Sequence, residues 1–287
     1  LSLNAALPFW IALGGMLATI VSTKVSAAWS NFLFAAVFPI GLIGIIFMGG
    51  ADLFTGDCMI TPFAKMTKKV NSSDLFRNWI LAFGGNFIGS ICWAWIVAIS
   101  LIYGNQMTAA AATKAIAVAE AKVVIAEGAT YGGWFTTMVF KGIICNFLVN
   151  FAIYQAFKSN DNLMAKIFNI WFPIMAFVAV GSEHLIANMF FIPVAIFSGA
   201  DITWSAAIWN NFVPVLMGNM IGGYLFMGLN YWFSTGCNTV EDPAGTKTTD
   251  FVRLGRAIKQ IPLLVVGFIV LAGVYLVVPY IIAITLE

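Results

Sequence analysis

The stretch "VGSEHLIANM", Val180–Met189, decides how this chain folds. It holds the only histidine, His184, beside Glu183 and Asn188, and it interrupts an apolar tract that runs from Ile167 to Phe197. A tract of that kind can cross a bilayer, which takes about 20 apolar residues. Gly and the small polar residues in its middle favour non-helical backbone. Unwound backbone cannot face lipid, because each unpaired N–H or C=O costs on the order of several kcal/mol there. The stretch therefore predicts a broken transmembrane helix that lines a cavity or is buried in protein.

The rest of the chain agrees with a membrane setting. Hydrophobic residues make up 61% of the 287 positions and charged residues 9%, with a mean hydropathy of +0.93. A soluble domain carries about 25% charge, so too few charges are present to cover a water-facing surface. The apolar runs are continuous rather than alternating, which argues against a β-barrel. No basic patch with interleaved aromatics points to nucleic acid. The cysteines at 58, 92, 145 and 237 show no metal-ligand spacing and read as reduced thiols. Leu7–Ile20 resembles a signal h-region but lacks basic flanks and a cleavage site, so it reads as a retained span.

Spans are expected near Leu7–Thr23, Phe32–Leu53, Trp79–Tyr103, Trp134–Phe157, Ile167–Phe197, Ala206–Phe233 and Ile261–Leu286. If the segment after the second span is cytoplasmic, the inside segments hold Lys65, Lys68, Lys69, Arg77, Lys158, Lys166, Lys247, Arg253, Arg256 and Lys259. Only Lys24, Lys114 and Lys122 are then outside. That bias puts the N-terminus in the cytoplasm and the C-terminus outside. The expected organisation is a six-span body over 1–233, an Ala-rich outer loop 104–133, a cytoplasmic linker 234–260 and an additional span 261–287. The loop is expected to be helical and to lie over the outer mouth or along the membrane surface.

The body contains a repeat, with copies over 7–103 and 134–233. "FPIGLIGIIFMGGADLF" from Phe38 matches "FPIMAFVAVGSEHLI" from Phe172, and "NWILAFGGNFIG" from Asn78 matches "NFVPVLMGNMIG" from Asn211, pairing Asn86 with Asn219. A period of three spans turns the second copy over in the membrane. "GGADLFTGD", Gly49–Asp57, is then the partner break of the opening stretch. Half-helix N-termini at two such breaks suit an anion. An imidazole, with an unperturbed pKa of about 6.5, can give it a hydrogen bond or a proton.

These motifs, "GADLFTG" with "EHLIANM" and then "GNMIGG", resemble the formate/nitrite transporter family of small-anion channels. The similarity runs from about Leu7 to Phe233. The resemblance implies an all-α, aquaporin-like inverted repeat of three plus three helices, the second and fifth broken. It also implies five protomers, each with its own pore, around a lipid-filled axis. Its pore residues fall on His184, Thr55, Asn219 and Asn188, an outer slit on Leu53 and Phe177, and an inner slit on Ile43, Phe54 and Val149, with Pro39 where some relatives have an aromatic. The family's vestibular lysine corresponds to Lys122 or Lys114. Lys141 reads as a helix-end lysine that snorkels or pairs at a protomer contact, and Asn146 as a residue that bonds across helices. The seventh span departs from the family pattern. It reads as a packing helix, or as a clamp on the oligomer or a partner membrane protein.

The function expected is passage of formate or nitrite as near-neutral species past His184. Hydrosulfide is an alternative, since "KGIICNFLV" resembles the nitrite and hydrosulfide branches. An anchoring role through the seventh span is the alternative from another class. No metal, cofactor or enzyme constellation is expected. Ammonium passage is disfavoured by a histidine that stands alone.

Overall fold

The computed structural model describes residues 9–23, 25–49, 52–102 and 106–236. The seventh span, most of the linker 234–260 and Cys237 lie outside the described residues. Among those described, the regular structure is helical: α1 (Phe9–Val21), α2 (Ala27–Val37), α3 (Ile40–Met48), α4 (Phe54–Met66), α5 (Ser72–Ile102), α6 (Gln106–Val123), α7 (Tyr131–Lys158), α8 (Leu163–Ala179) and α9 (Leu185–Phe197), followed by a last helix over Trp204–Ser234 with π-wound turns at Ile208–Phe212 and Gly222–Leu229. Four stretches are long and apolar enough to cross a membrane: Ala27–Met48, Ser72–Ser100, Tyr131–Lys158 and Trp204–Ser234. The chain is a multi-pass helical membrane protein.

Local chemistry sets the helix starts. Side-chain oxygens of Thr130, Asn162 and Thr203 accept from the N–H groups of Gly133, Ala165 and Ala206, capping α7, α8 and the last helix. Pro39 separates α2 from α3, whereas Pro173 sits inside an unbroken α8. The second span does not end at Leu53 as the hydropathy suggests. After the break it resumes as α4 and runs to Met66. Asp57, Lys65, Pro62 and two Thr dilute the apolar signal of that half-helix.

α9 is the centre of the body. Residues Leu185 through Ala195 are all buried, and α9 packs on α5, α6 and α1. A helix apolar on every side belongs inside a bundle. One face of α6 packs into the body, while Thr113, Ala117 and Glu120 on the other are exposed. Its Ala111, Ala115, Ala119 and Val123 are buried, and it runs against α9. α7 meets the last helix through glycine. A Cβ on Gly218 would overlap the carbonyl oxygen of Val139, and one on Gly222 that of Ile143. This small-residue seam lets the two backbones approach closely and brings Asn146 of α7 within reach of the helix opposite.

Candidate functional site

Both breaks use the same backbone device. Gly49 (φ 64°) ends α3 and Gly181 (φ 69°) follows α8, each in the left-handed region that a side chain would strain. The chain then runs extended into the next half-helix. Leu53 (φ −102°, ψ 114°) precedes α4 and His184 (φ −105°, ψ 115°) precedes α9. One asparagine bridges each bend. Asn86 Oδ1 accepts from Phe54 N at 3.0 Å and its Nδ2 donates to Asp52 O at 3.0 Å. Asn219 Oδ1 accepts from Leu185 N at 2.9 Å, and its Nδ2 donates to Glu183 O and Gly142 O, each at 2.9 Å. Backbone groups that no helix could pair are thereby satisfied in a buried site. The asparagines paired by the repeat occupy matching positions.

His184 does two things at once. Its Nδ1 accepts from Ala187 N at 3.0 Å, so the imidazole itself caps α9. In the neutral ring the hydrogen then sits on Nε2. That nitrogen lies 3.0 Å from Thr55 Oγ1. The ring stacks on Phe177 with centroids 5.7 Å apart. Thr55 is fully buried, and its carbonyl accepts from Asn146 Nδ2 and Asn150 Nδ2, each at 3.0 Å. Asn146 Nδ2 also donates to Asn219 O at 2.6 Å. A continuous polar chain thus runs from Asn219 through Asn146 and Thr55 to His184, inside an otherwise apolar body.

Two cavities approach this centre. One, of about 300 Å³, is lined by Lys114, Lys122, Lys141, Glu183, His184 and Asn188 with apolar neighbours. The other, of about 380 Å³, is lined by Asp52, Leu53, Asp57, Lys166 and apolar side chains of α3 and α7. Between them lies a space of about 10 Å³ walled by His184 and by Phe38, Leu42, Leu53, Val149, Ile174 and Phe177. It shares walls with both cavities and has room for about one water.

On the first side, Glu183 is 3% exposed and holds Lys122 Nζ at 3.0 and 3.1 Å. Asn188 Nδ2 and Asn211 Nδ2 donate to the same carboxylate at 2.7 and 3.3 Å. Lys114 Nζ donates to Ser30 Oγ at 3.1 Å.

The expected residues therefore divide. His184, Thr55 and Asn219 come together. Asn188 joins them through Glu183. Lys122 and Lys114 both face the first cavity, and so does Lys141. Leu53, Phe177 and Val149 wall the narrow space. Ile43 and Phe54 do not. The Phe54 ring packs edge-on against Trp79 and Phe83 of α5, and Leu42 rather than Ile43 is the α3 residue on the pathway side. Leu53 and Phe177 of the expected outer slit thus share one narrow space with Val149 of the expected inner slit. Leu42, Phe38, Asn86, Asn150 and Asn211 were not singled out for the site; an asparagine in an apolar helix is the signal for the last three.

The formate/nitrite transporter family model matches residues 5–233. A probable formate transporter of Methanothermobacter thermautotrophicus is 38% identical over 234 residues, 78% of this chain and 84% of that protein. The formate channel BtFdhC of Bacillus thuringiensis is 36% identical over 228 residues, 78% of this chain and 82% of its own. A solved structure, a pentameric formate channel with formate bound, matches with a TM-score of 0.67 at 27% identity, covering 81% of this chain and 94% of that one.

Proposed function

The chain belongs to the formate/nitrite transporter family, and on that premise we propose that it is a channel for small monovalent anions, formate foremost. It is a transport protein and not an enzyme. The observation that carries the reading is the contact between His184 Nε2 and Thr55 Oγ1, 3.0 Å, at a narrow apolar neck with a cavity on either side. A bare charge at bilayer depth costs at least ~2.5–3.5 kcal/mol on insertion scales. An anion drawn in by Lys122, Lys114 and Lys141 meets hydrogen-bond donors at His184 and Thr55 and crosses the neck as a near-neutral species. Formate stands ahead of nitrite because both relatives named above are named for formate.

In this reading the body is an inverted repeat over 7–103 and 134–233, which the matched Asn86 and Asn219 bridges support. Five copies assemble, as in the pentameric formate channel named above, and sit in the inner membrane. Lys122 faces outside and Lys166 the cytoplasm. The linker 234–260 and the span 261–287 follow the body.

Flux of formate, nitrite and hydrosulfide into liposomes carrying the full chain tests the reading. Formate flux that falls in His184→Phe supports it. No flux of any of the three in the wild type overturns it and leaves an anchoring subunit.

A further inference from the structure

The Lys166-side cavity contains a conflict of sign. Lys166 at its wall attracts an anion, while Asp52 and Asp57 repel one. Asp57 is the unusual member. It is 6% exposed, it lines the cavity, and its Oδ2 is buried with no hydrogen-bond partner. Its position is built rather than incidental. Its carbonyl accepts from Thr61 Oγ1 at 2.7 Å and from Trp79 Nε1 at 3.1 Å, which pins the backbone that carries the side chain. A buried anionic oxygen without a donor is costly, and a second carboxylate facing the same low-dielectric space raises that cost. A proton on the Asp57 carboxyl removes it and, at the same moment, opens the cavity to an anion.

We propose that Asp57, assisted by Asp52, is the proton-exchange site of the Lys166-side cavity, handing a proton to the permeating anion before it enters the neck. The inference rests on the channel reading above and deepens it. For efflux, the anion takes the proton of the Asp57 carboxyl. The undissociated acid forms, a carboxylate remains, and water of that side returns a proton to it. Influx reverses the steps: the acid leaving the neck gives its proton to Asp57 and departs as an anion past Lys166. The titratable groups on elements packed against α4 are Asp74, Arg77 and Cys92 of α5, Tyr131, Lys141, Cys145, Tyr154 and Lys158 of α7, His184 at the cap of α9, and Tyr224 and Tyr231 of the last helix; Cys58 and Lys65 lie on α4 itself. None of these is among the residues lining the cavity, which leaves Asp52 and Lys166 as the charged groups that share it with Asp57.

The test is formate flux in liposomes with the full chain, wild type against Asp57→Asn, Asp57→Glu and Asp52→Asn, between about pH 5.5 and 7.5. Asp57→Asn is expected to lower flux about tenfold at the upper pH and by less than about twofold at the lower, where bulk water already supplies undissociated acid. Asp57→Glu keeps the wild-type profile, and Asp52→Asn shifts it in the same sense by a smaller factor. A loss in Asp57→Asn that is equal at every pH, or no loss at all, overturns the proposal. So does wild-type flux that follows a sodium gradient and not pH. Should Asp57→Asn fail to assemble, Asp57→Glu and Asp52→Asn decide: wild-type pH dependence in Asp52→Asn, or an altered profile in Asp57→Glu, counts against it. Wild-type protein that passes none of the three anions overturns the channel reading as well, and so is told apart from a failure of Asp57 alone.

Discussion

The two breaks share a backbone and differ in chemistry. Leu53 and His184 have nearly the same φ and ψ, each stands one residue before a half-helix, and each is spanned by an asparagine from a neighbouring long helix. Yet α4 begins with no side-chain cap, whereas α9 is capped by the His184 ring itself. The acidic residue before each cap position also differs. Glu183 is locked to Lys122, Asn188 and Asn211. Asp52 borders an open cavity. The bend is therefore a generic device carried by asparagine and glycine. What differs between the bends is the residue placed at the cap and the acidic residue before it.

That contrast can be broken most directly by making the second bend like the first. His184→Leu removes the donor at the neck, and formate flux in liposomes should fall about a hundredfold, the equivalent of the ~2.5–3.5 kcal/mol charge penalty left uncompensated. Flux within a few-fold of wild type would mean that the backbone device alone carries the anion. Next in size is the charge pair. Lys122→Met leaves Glu183 with only amide donors and should destabilise the folded chain by about 3 kcal/mol, seen as earlier thermal unfolding in detergent. Lys122→Met combined with Glu183→Gln should recover most of that loss, because the two changes are coupled.

The two asparagine bridges sharpen the comparison further. Asn219→Ala strands Leu185 N and Glu183 O and also removes the bond to Gly142 O, whereas Asn86→Ala strands two groups and no more, at about 1 kcal/mol or more for each buried group. Unfolding midpoints should then fall in the order wild type, Asn86→Ala, Asn219→Ala. The smallest effect is expected at Lys114. Lys114→Met should change stability by less than about 0.5 kcal/mol and raise the formate concentration at half-maximal flux about twofold at low ionic strength. The difference should vanish in high salt.

Much of this contrast is legible in the sequence, for physical reasons that can be named. Gly49 with Asp52 and Gly181 with Glu183 stand out because polar residues are expensive in an apolar tract. The matched "GNFIG" and "GNMIG" runs pair Asn86 with Asn219 across 133 positions, a correspondence that composition alone would hide. Helix phase and long-range contact are harder to read. One position turns a side chain by about 100° around a helix, and it is Leu42 rather than Ile43 that walls the narrow space. Phe54 is claimed by Trp79 and Phe83, partners that hydropathy cannot locate. Lys122 lies 61 residues before Glu183, on an Ala-rich helix whose docking partner the hydropathy does not reveal. Nothing in its neighbours foretells that it will hold the carboxylate beside the histidine.

The burial of α9 has a mechanical consequence. From Leu185 to Ala195 this half-helix has no side open to the acyl chains, while α5 and α7 expose Ile80, Trp95, Phe140 and Phe147 at their outer faces. Thinning or thickening of the bilayer pulls on those outer helices and reaches the imidazole only through packed protein. The throat is insulated from the tension of the membrane it pierces, so its selectivity is expected to hold steady from one lipid mixture to another.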